Sequence, residues 1–279
     1  MKHLRPSFFI IGVNKCGTSS LYRYLVAHPA VLPCAEKEPN FFGQHNPQYI
    51  ASHIADYYGL FPTREYQGDL SFEWEASDQA GTSRPVAVSV ERKPGVDYIT
   101  GEASANTFHE VPPALLHQYL PEVKLILLVR NPVDRAYSHH RMYRRFQDAG
   151  SDLGFEVRDF ETDIQAEMRA HDKGEKTHYI SPGIYIDKLQ EWVSVYGWAQ
   201  VKVLVTEELA RPGRAQTIMR EMEDYLGLPH HEYGELLARR FNHAPPPRLA
   251  PRLRAQLAEF YRPANRRLEE YLGYELHWS

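Results

Sequence analysis

At 279 residues, with 43% hydrophobic and 24% charged, the chain is long enough to bury a sizeable core and ordinary in make-up for a soluble globular protein. A formal charge of −4 gives no global pull toward nucleic acid or an anionic membrane, so a polyanionic partner would have to be met by a local basic patch. Cys16 and Cys34 are too few for a disulfide framework, no apolar run has membrane-spanning length, and MKHLRPSFFIIGV lacks a signal-like apolar region; a reducing, cytoplasmic setting is expected.

Residues 8–13, FFIIGV, form a short apolar run ending at turn residues, the mark of a strand buried on both faces. Leu21 and Leu25 then repeat at helical spacing, and His28-Pro29 closes that helix. Residues 60–98 are rich in charge, Gly, Ser and Thr and read as loops or hairpins across the mouth of a sheet. The next clear strand is KLILLV, followed by RNPVDRAYSHHRMYRRF, where Asn131 as N-cap and Pro132 at the first helical position mark a helix start. Within 147–178, Phe160, Ile164 and Met168 share a helical face that reads as packing. VKVLV leads to the helix AQTIMREMEDYLGL; after it come the proline-rich loop FNHAPPPRLAPR and an amphipathic helix carrying Leu253, Leu257 and Phe260. Apolar strands alternating with helices predict an α/β fold with a central, mostly parallel sheet covered by helices on both faces. No internal repeat or flexible linker is visible, so residues 1–279 are expected to form one domain with excursions at 60–98 and 147–178.

Gly12 and Gly17 have the spacing of the Walker A loop G-x-x-x-x-G-K-[ST], but Thr18 stands where the lysine belongs and Lys15 lies inside the loop. A glycine-bounded turn running into a helix N-terminus cradles anions through its backbone N–H groups. Thr18, Ser19 and Ser20 add hydroxyls, and Lys15 adds a charge. The plainer alternative is a strand-to-helix turn whose glycines serve geometry alone. The strand LILLV then ends in Arg130, where a nucleoside triphosphatase would carry an acidic residue for Mg²⁺. Arg130 and the Pro-started helix make a second anion site, with the Ser138 hydroxyl two turns on; its plainer alternative is an arginine paired with Asp134 or Glu102. Two separated anion sites point to a nucleotide phosphorylated at two places. Among the 14 histidines no metal-ligand spacing is present, and His139-His140 and His230-His231 read as surface or capping residues. The arginine of a cysteine-phosphatase loop would fall at position 22, which is Tyr, so Cys16 is not read as a nucleophile. Arg141, Arg144 and Arg145 suit a solvated helix face as well as an acidic acceptor.

GVNKCGTSSLYRYL together with LVRNPVDRAYS resembles the paired signatures of the sulfotransferases that use 3'-phosphoadenosine-5'-phosphosulfate (PAPS). The closer likeness is to the heparan sulfate sulfotransferase branch and its bacterial relatives, and KEPNFF, GEASANTF, GIYIDKLQEWVSVYG and FYRPANRRLEEYLGYELHW extend it over most of the chain. The resemblance implies a P-loop-like α/β fold and a donor 5'-phosphosulfate held by Lys15, Cys16, Gly17, Thr18, Ser19 and Ser20. It further implies a 3'-phosphate held by Arg130 and Ser138, and Glu38 as catalytic base in the frame Glu38-Pro39-Asn40-Phe41-Phe42. Lys15 would approach the oxygen bridging phosphate and sulfur, where charge accumulates as that bond breaks, so no metal is required. The chain departs from the branch at several positions. Ala103 follows Glu102 where relatives commonly have lysine, and Asn40 stands where some have histidine. A Lys-Gly-Arg element of the C-terminal donor loop is replaced by FNHAPPPRLAPR, in which Arg248, with Arg252, is the candidate to cover the donor.

The expected activity is therefore transfer of a sulfuryl group from PAPS to a hydroxyl or amine of a carbohydrate or small molecule, with 3',5'-adenosine bisphosphate (PAP) as product. Glu102 and Asn40 are assigned to the acceptor side, near which both excursions are expected. No nucleic-acid or membrane partner is expected, and the oligomeric state is left open. The alternatives are a nucleotide kinase or NTPase with an atypical loop, and a non-catalytic nucleotide-binding module.

Overall fold

The computed structural model describes residues 3–63, 70–77, 83–90, 95–211, 213–238 and 249–278, except for the side chains of 70–77 and 83–90. In chain order the elements begin β1 (Phe8–Gly12), α1 (Thr18–Val26), β2 (Val31–Pro33), α2 (Phe41–Gln44), α3 (Pro47–Gly59), β3 (Leu70–Ser77), β4 (Ser83–Val90) and β5 (Ile99–Ala103). They continue with α4 (Thr107–Glu110), α5 (Pro113–Tyr119), β6 (Lys124–Val129), α6 (Pro132–Asp148), α7 (Phe160–Asp172), α8 (Ile186–Tyr196) and β7 (Val201–Val205). The last helices are α9 (Thr206–Leu209), α10 (Arg214–Leu226) and α11 (Pro251–Leu272).

The central sheet has the order β2-β5-β1-β6-β7. β1 pairs in parallel with β5 and β6, and β2 pairs in parallel with β5, so the α/β sheet expected from the sequence is present. All of β1 is buried, as is β6 beyond Lys124. A strand covered on both faces takes apolar side chains at every position, which is why FFII and LILLV do not alternate. β3 and β4 pair antiparallel as a separate hairpin within the polar 60–98 region.

Strand order also identifies the edge at which a ligand would bind. From β1 the chain passes through α1 to β2 on one side, whereas from β5 it passes through α4 and α5 to β6 on the other. Right-handed crossovers running in opposite directions lie on opposite faces of the sheet. The connections therefore diverge at β1, and a doubly wound sheet leaves its crevice at the carboxyl end of such a strand. Close packing of β1 on β5 requires Gly101: a Cβ there would lie 2.4 Å from the Phe8 carbonyl oxygen and 2.6 Å from its ring.

The chain divides into two compact units. The first comprises Met1–Val13, Gly17–Leu128 and Trp192–His243 and contains the sheet, apart from Val129 at the end of β6. Phe8, Ile10, Leu21, Leu25, Leu125 and Leu127 are fully buried in it. The Trp192 indole donates to the Phe108 carbonyl at 3.0 Å, tying the end of α8 to α4.

The second unit comprises Asn14–Cys16, Val129–Glu191 and Ala244–Ser279. In its core Val133 and Ala136 of α6 pack with Phe160 and Ile164 of α7 and with Leu253 and Leu257 of α11; Met168 and Phe260 lie against the same cluster. The packing faces expected on α7 and α11 are thus the ones buried. The Asn131 side chain accepts the Val133 N–H at 3.0 Å and caps α6 as the sequence predicts. His139 and His140 correct the expectation of surface or capping histidines, since each is only 6% exposed. The cause is the aromatic packing of α6, because both rings meet Tyr179 edge-on.

Candidate functional site

In the first unit, Gly17 caps α1 with φ +89°, a left-handed conformation costing an ordinary L-residue about 1–2 kcal/mol. Its carbonyl accepts the Ser20 and Leu21 N–H groups at 3.0 and 3.1 Å. Thr18 is buried while Ser19 and Ser20 are half-buried, so two of the three hydroxyls stand at the surface of a helix N-terminus, the end whose dipole favours anions.

Further along, Glu38 (φ 57°) and Asn40 (φ 48°) are also left-handed, though neither is glycine. Such residues persist where surrounding bonds fix them, and they concentrate at functional sites. The Asn40 side chain donates to the Glu38 carbonyl at 2.8 Å, and its N–H donates to Ser104 Oγ at 3.0 Å. Ser104 in turn donates to Glu102 Oε2 at 2.5 Å, and Tyr57 donates to Glu102 Oε1 at 2.7 Å. Glu102 is buried, and burial pushes its carboxyl up to about 7, helped by the charge of Glu38 and opposed by the Ser104 and Tyr57 hydrogen bonds. Glu38 itself is half-exposed and pairs with Lys37 at 2.7 Å. Cys34 is buried near the same carboxylate; burial first and Glu102 second push its thiol up, so it stays protonated.

In the second unit, Lys15 is left-handed (φ 72°) and half-buried, with its ammonium 3.6 Å from Met142 Sδ. Arg130 donates to the Lys15 carbonyl at 3.1 Å, which joins the two cations the sequence assigns to separate phosphates. The Tyr185 hydroxyl donates to the Arg130 carbonyl at 2.8 Å and lies 3.8 Å from the buried Cys16 sulfur. The Cys16 side chain is thus turned to Tyr185. Ser138 is half-buried on α6. Beneath that helix surface lies the fully buried Arg135, which donates to the Tyr179 carbonyl and lies 3.2 Å from His139 Nδ1. Burial, then the charges of Arg135 and Lys15, hold His139 well below its usual range, so it is neutral. Asp134, the acid considered as a partner for Arg130, is paired with Arg254 instead. Arg248 lies outside the described residues, and Arg252 is exposed in the first turn of α11.

The structure thus gathers Glu38, Asn40 and Glu102 in the first unit, and Lys15, Cys16 and Arg130 in the second. Sequence reading missed Tyr57 and Ser104 as partners of Glu102. An acid at the apolar end of β5 is the signal that a buried acceptor network is required, but nothing local names its donors. Met142 and the Arg135–His139 pair were missed likewise. Among the described residues, no group of three or more His, Cys, Asp or Glu could hold a metal ion, and no helix is long and apolar enough to cross a membrane.

A family model described as "Sulfotransferase family" matches residues 6–186. The human bifunctional heparan sulfate N-deacetylase/N-sulfotransferase 3 is 29% identical over 241 residues, which are 83% of this chain and 23% of that protein. Mouse carbohydrate sulfotransferase 15 is 27% identical over 323 residues, covering 98% of this chain and 55% of its own length. The chain therefore spans between about a quarter and about half of these relatives. The crystal structure of a sulfotransferase from Alicyclobacillus acidocaldarius superposes with a TM-score of 0.68 at 24% identity, covering 98% of this chain and 97% of that one, a likeness of fold.

Proposed function

The chain belongs to the sulfotransferase family, and from that premise we propose that it transfers a sulfuryl group from PAPS to a hydroxyl or amine of a carbohydrate acceptor. The observation that carries this reading is the loop lysine. Lys15, not the residue after Gly17, supplies the cation, and its backbone is fixed left-handed with its carbonyl bound by Arg130. A donor with phosphate groups at both ends of its ribose needs cations for each, and this chain provides Lys15 and Arg130 as fixed charges. Gly17, Thr18, Ser19 and Ser20 would add amide and hydroxyl donors to the 5' side, and Ser138 a hydroxyl to the 3' side.

In the transfer, an acceptor oxygen or nitrogen bonds to sulfur while the bond from sulfur to the bridging oxygen breaks, and PAP departs with that electron pair. Glu38 takes the acceptor proton onto its carboxylate. Lys15 stabilises the charge developing on the departing oxygen, an interaction stronger in the transition state than in the ground state. No role for a divalent ion is needed, because the side-chain cations meet the phosphates themselves. A carbohydrate acceptor is supported by the names of the relatives above, which concern heparan sulfate and carbohydrate.

The test is transfer of label from radiolabelled PAPS to a panel of oligosaccharides with free hydroxyl or amino groups, run in EDTA. Wild-type protein is expected to label at least one acceptor and release PAP, and Glu38→Gln to lose about two orders of magnitude in turnover. Unchanged turnover in Glu38→Gln removes that residue from the base role. Hydrolysis of ATP with Mg²⁺, without use of PAPS, would replace the reading with that of an NTPase.

A further inference from the structure

We propose that Glu102 is a positioning residue for the Glu38 turn, acting through Ser104 and the Asn40 N–H; this rests on the reading of Glu38 as base. The geometry is a single line of hydrogen bonds. Tyr57 and Ser104 donate to opposite oxygens of the Glu102 carboxylate at 2.7 and 2.5 Å, Ser104 Oγ accepts the Asn40 N–H at 3.0 Å, and Asn40 Nδ2 donates to the Glu38 carbonyl at 2.8 Å.

A serine hydroxyl has one proton to give. While Glu102 is ionised, Ser104 spends that proton on Oε2, and its oxygen is left facing Asn40 as an acceptor fixed from both sides. Once Glu102 is protonated on Oε2 it becomes the donor, Ser104 must turn its own proton away from Oε2, and the lone pair it offers the Asn40 N–H is re-aimed. The consequence reaches Glu38 because both turn residues are left-handed, a conformation that costs about 1–3 kcal/mol per residue and needs outside bonds to persist. Re-aiming the acceptor of the Asn40 N–H therefore disturbs the backbone that aims the base.

The groups around Glu102 allow this switch to be read cleanly. Tyr57 comes from α3, Tyr22 from α1 and Cys34 from the end of β2, and burial raises the proton affinity of all three, so they remain neutral. The ion pair of Glu38 with Lys37 supplies the charges on the remaining side. Ionisation of Glu102 is thus the event near neutral pH that changes the network.

The test uses the full chain labelled with ¹⁵N, in wild-type form and as Glu102→Gln, Ser104→Ala and Ser104→Thr. The Asn40 amide resonance is expected to titrate with a midpoint near pH 7 in wild type and Ser104→Thr, and to stay flat in Glu102→Gln and Ser104→Ala. In a PAP-release assay with PAPS, kcat should fall about tenfold or more in Glu102→Gln and Ser104→Ala, within the roughly hundredfold that a misplacement of about 1 Å can cost. It should recover in Ser104→Thr, with KM for PAPS unchanged throughout, and the step in kcat near neutral pH should vanish in Glu102→Gln. An Asn40 amide that titrates in Ser104→Ala as it does in wild type overturns the proposal, as does an unaltered kcat. If Glu102→Gln does not fold, the Ser104 pair decides alone. Failure of wild-type protein to release PAP counts against sulfuryl transfer, and the Asn40 titration still decides whether Glu102 controls the turn.

Discussion

At the scale of single residues, backbone conformation marks the candidate site as much as side-chain identity does. Lys15, Glu38 and Asn40 are left-handed without being glycine, and the sequence reading assigned each of them to the site on other grounds. Replacing Lys15 by Met keeps much of its length and removes the charge; kcat for sulfuryl transfer is predicted to fall about 10²–10³-fold, as when one transition-state donor is removed. Steady-state kinetics with saturating PAPS check this. Glu102 gives a prediction on stability. Its carboxyl moves from 4.5 in the unfolded chain to about 7 in the fold. Between those values the folded protein holds a proton that the unfolded chain has lost, so stability falls as pH rises across the window and levels off above it. The loss is about 3 kcal/mol at most. Urea denaturation of wild type and Glu102→Gln from pH 4.5 to 8 should show this slope in the first and a flatter profile in the second.

At the scale of elements, β1, β6, β7 and the start of α6 were legible because their apolar runs are continuous and their boundaries are marked, whereas β2 and β5 were not read as strands. FFII, LILLV and the Asn131-Pro132 start of α6 are local signals with one physical meaning each. The pairing of Tyr57 on α3 with Glu102 on β5 was not legible, because it joins residues 45 apart in sequence through a network that only the fold assembles. The buried histidines were misread for a related reason: their burial depends on Tyr179, which no helical periodicity connects to α6. The packing of β1 against β5 carries its own prediction. Gly101→Ala forces a methyl against the Phe8 backbone and ring, and strands locked in a central sheet cannot move apart to admit it. A loss of about 2–4 kcal/mol is expected, seen as a large drop in thermal midpoint. Gly59→Ala, where a Cβ would meet nothing within 4 Å, serves as the tolerant control.

At the scale of the whole molecule, the parallel sheet with its divergent connections at β1 and the family match over residues 6–186 agree on the class of protein. Composition predicted little of this; the −4 charge argued only against a global polyanion surface, while the basic residues that matter are few and local. The acceptor was not legible, since the departures at Ala103 and Asn40 remove the residues by which the branch would have been matched more finely. The central claim is that Lys15, Arg130 and the loop amides and hydroxyls capture a doubly phosphorylated adenosine without a divalent ion. Isothermal titration of the wild-type chain with PAP in EDTA, repeated with Arg130→Ala and with adenosine 5'-monophosphate, tests it most directly. The account predicts binding unaffected by EDTA, a loss of about tenfold or more in Arg130→Ala, and little response of that variant's affinity to removal of the 3'-phosphate. Binding that appears only when Mg²⁺ is added, or an Arg130→Ala affinity equal to that of wild type, would contradict it.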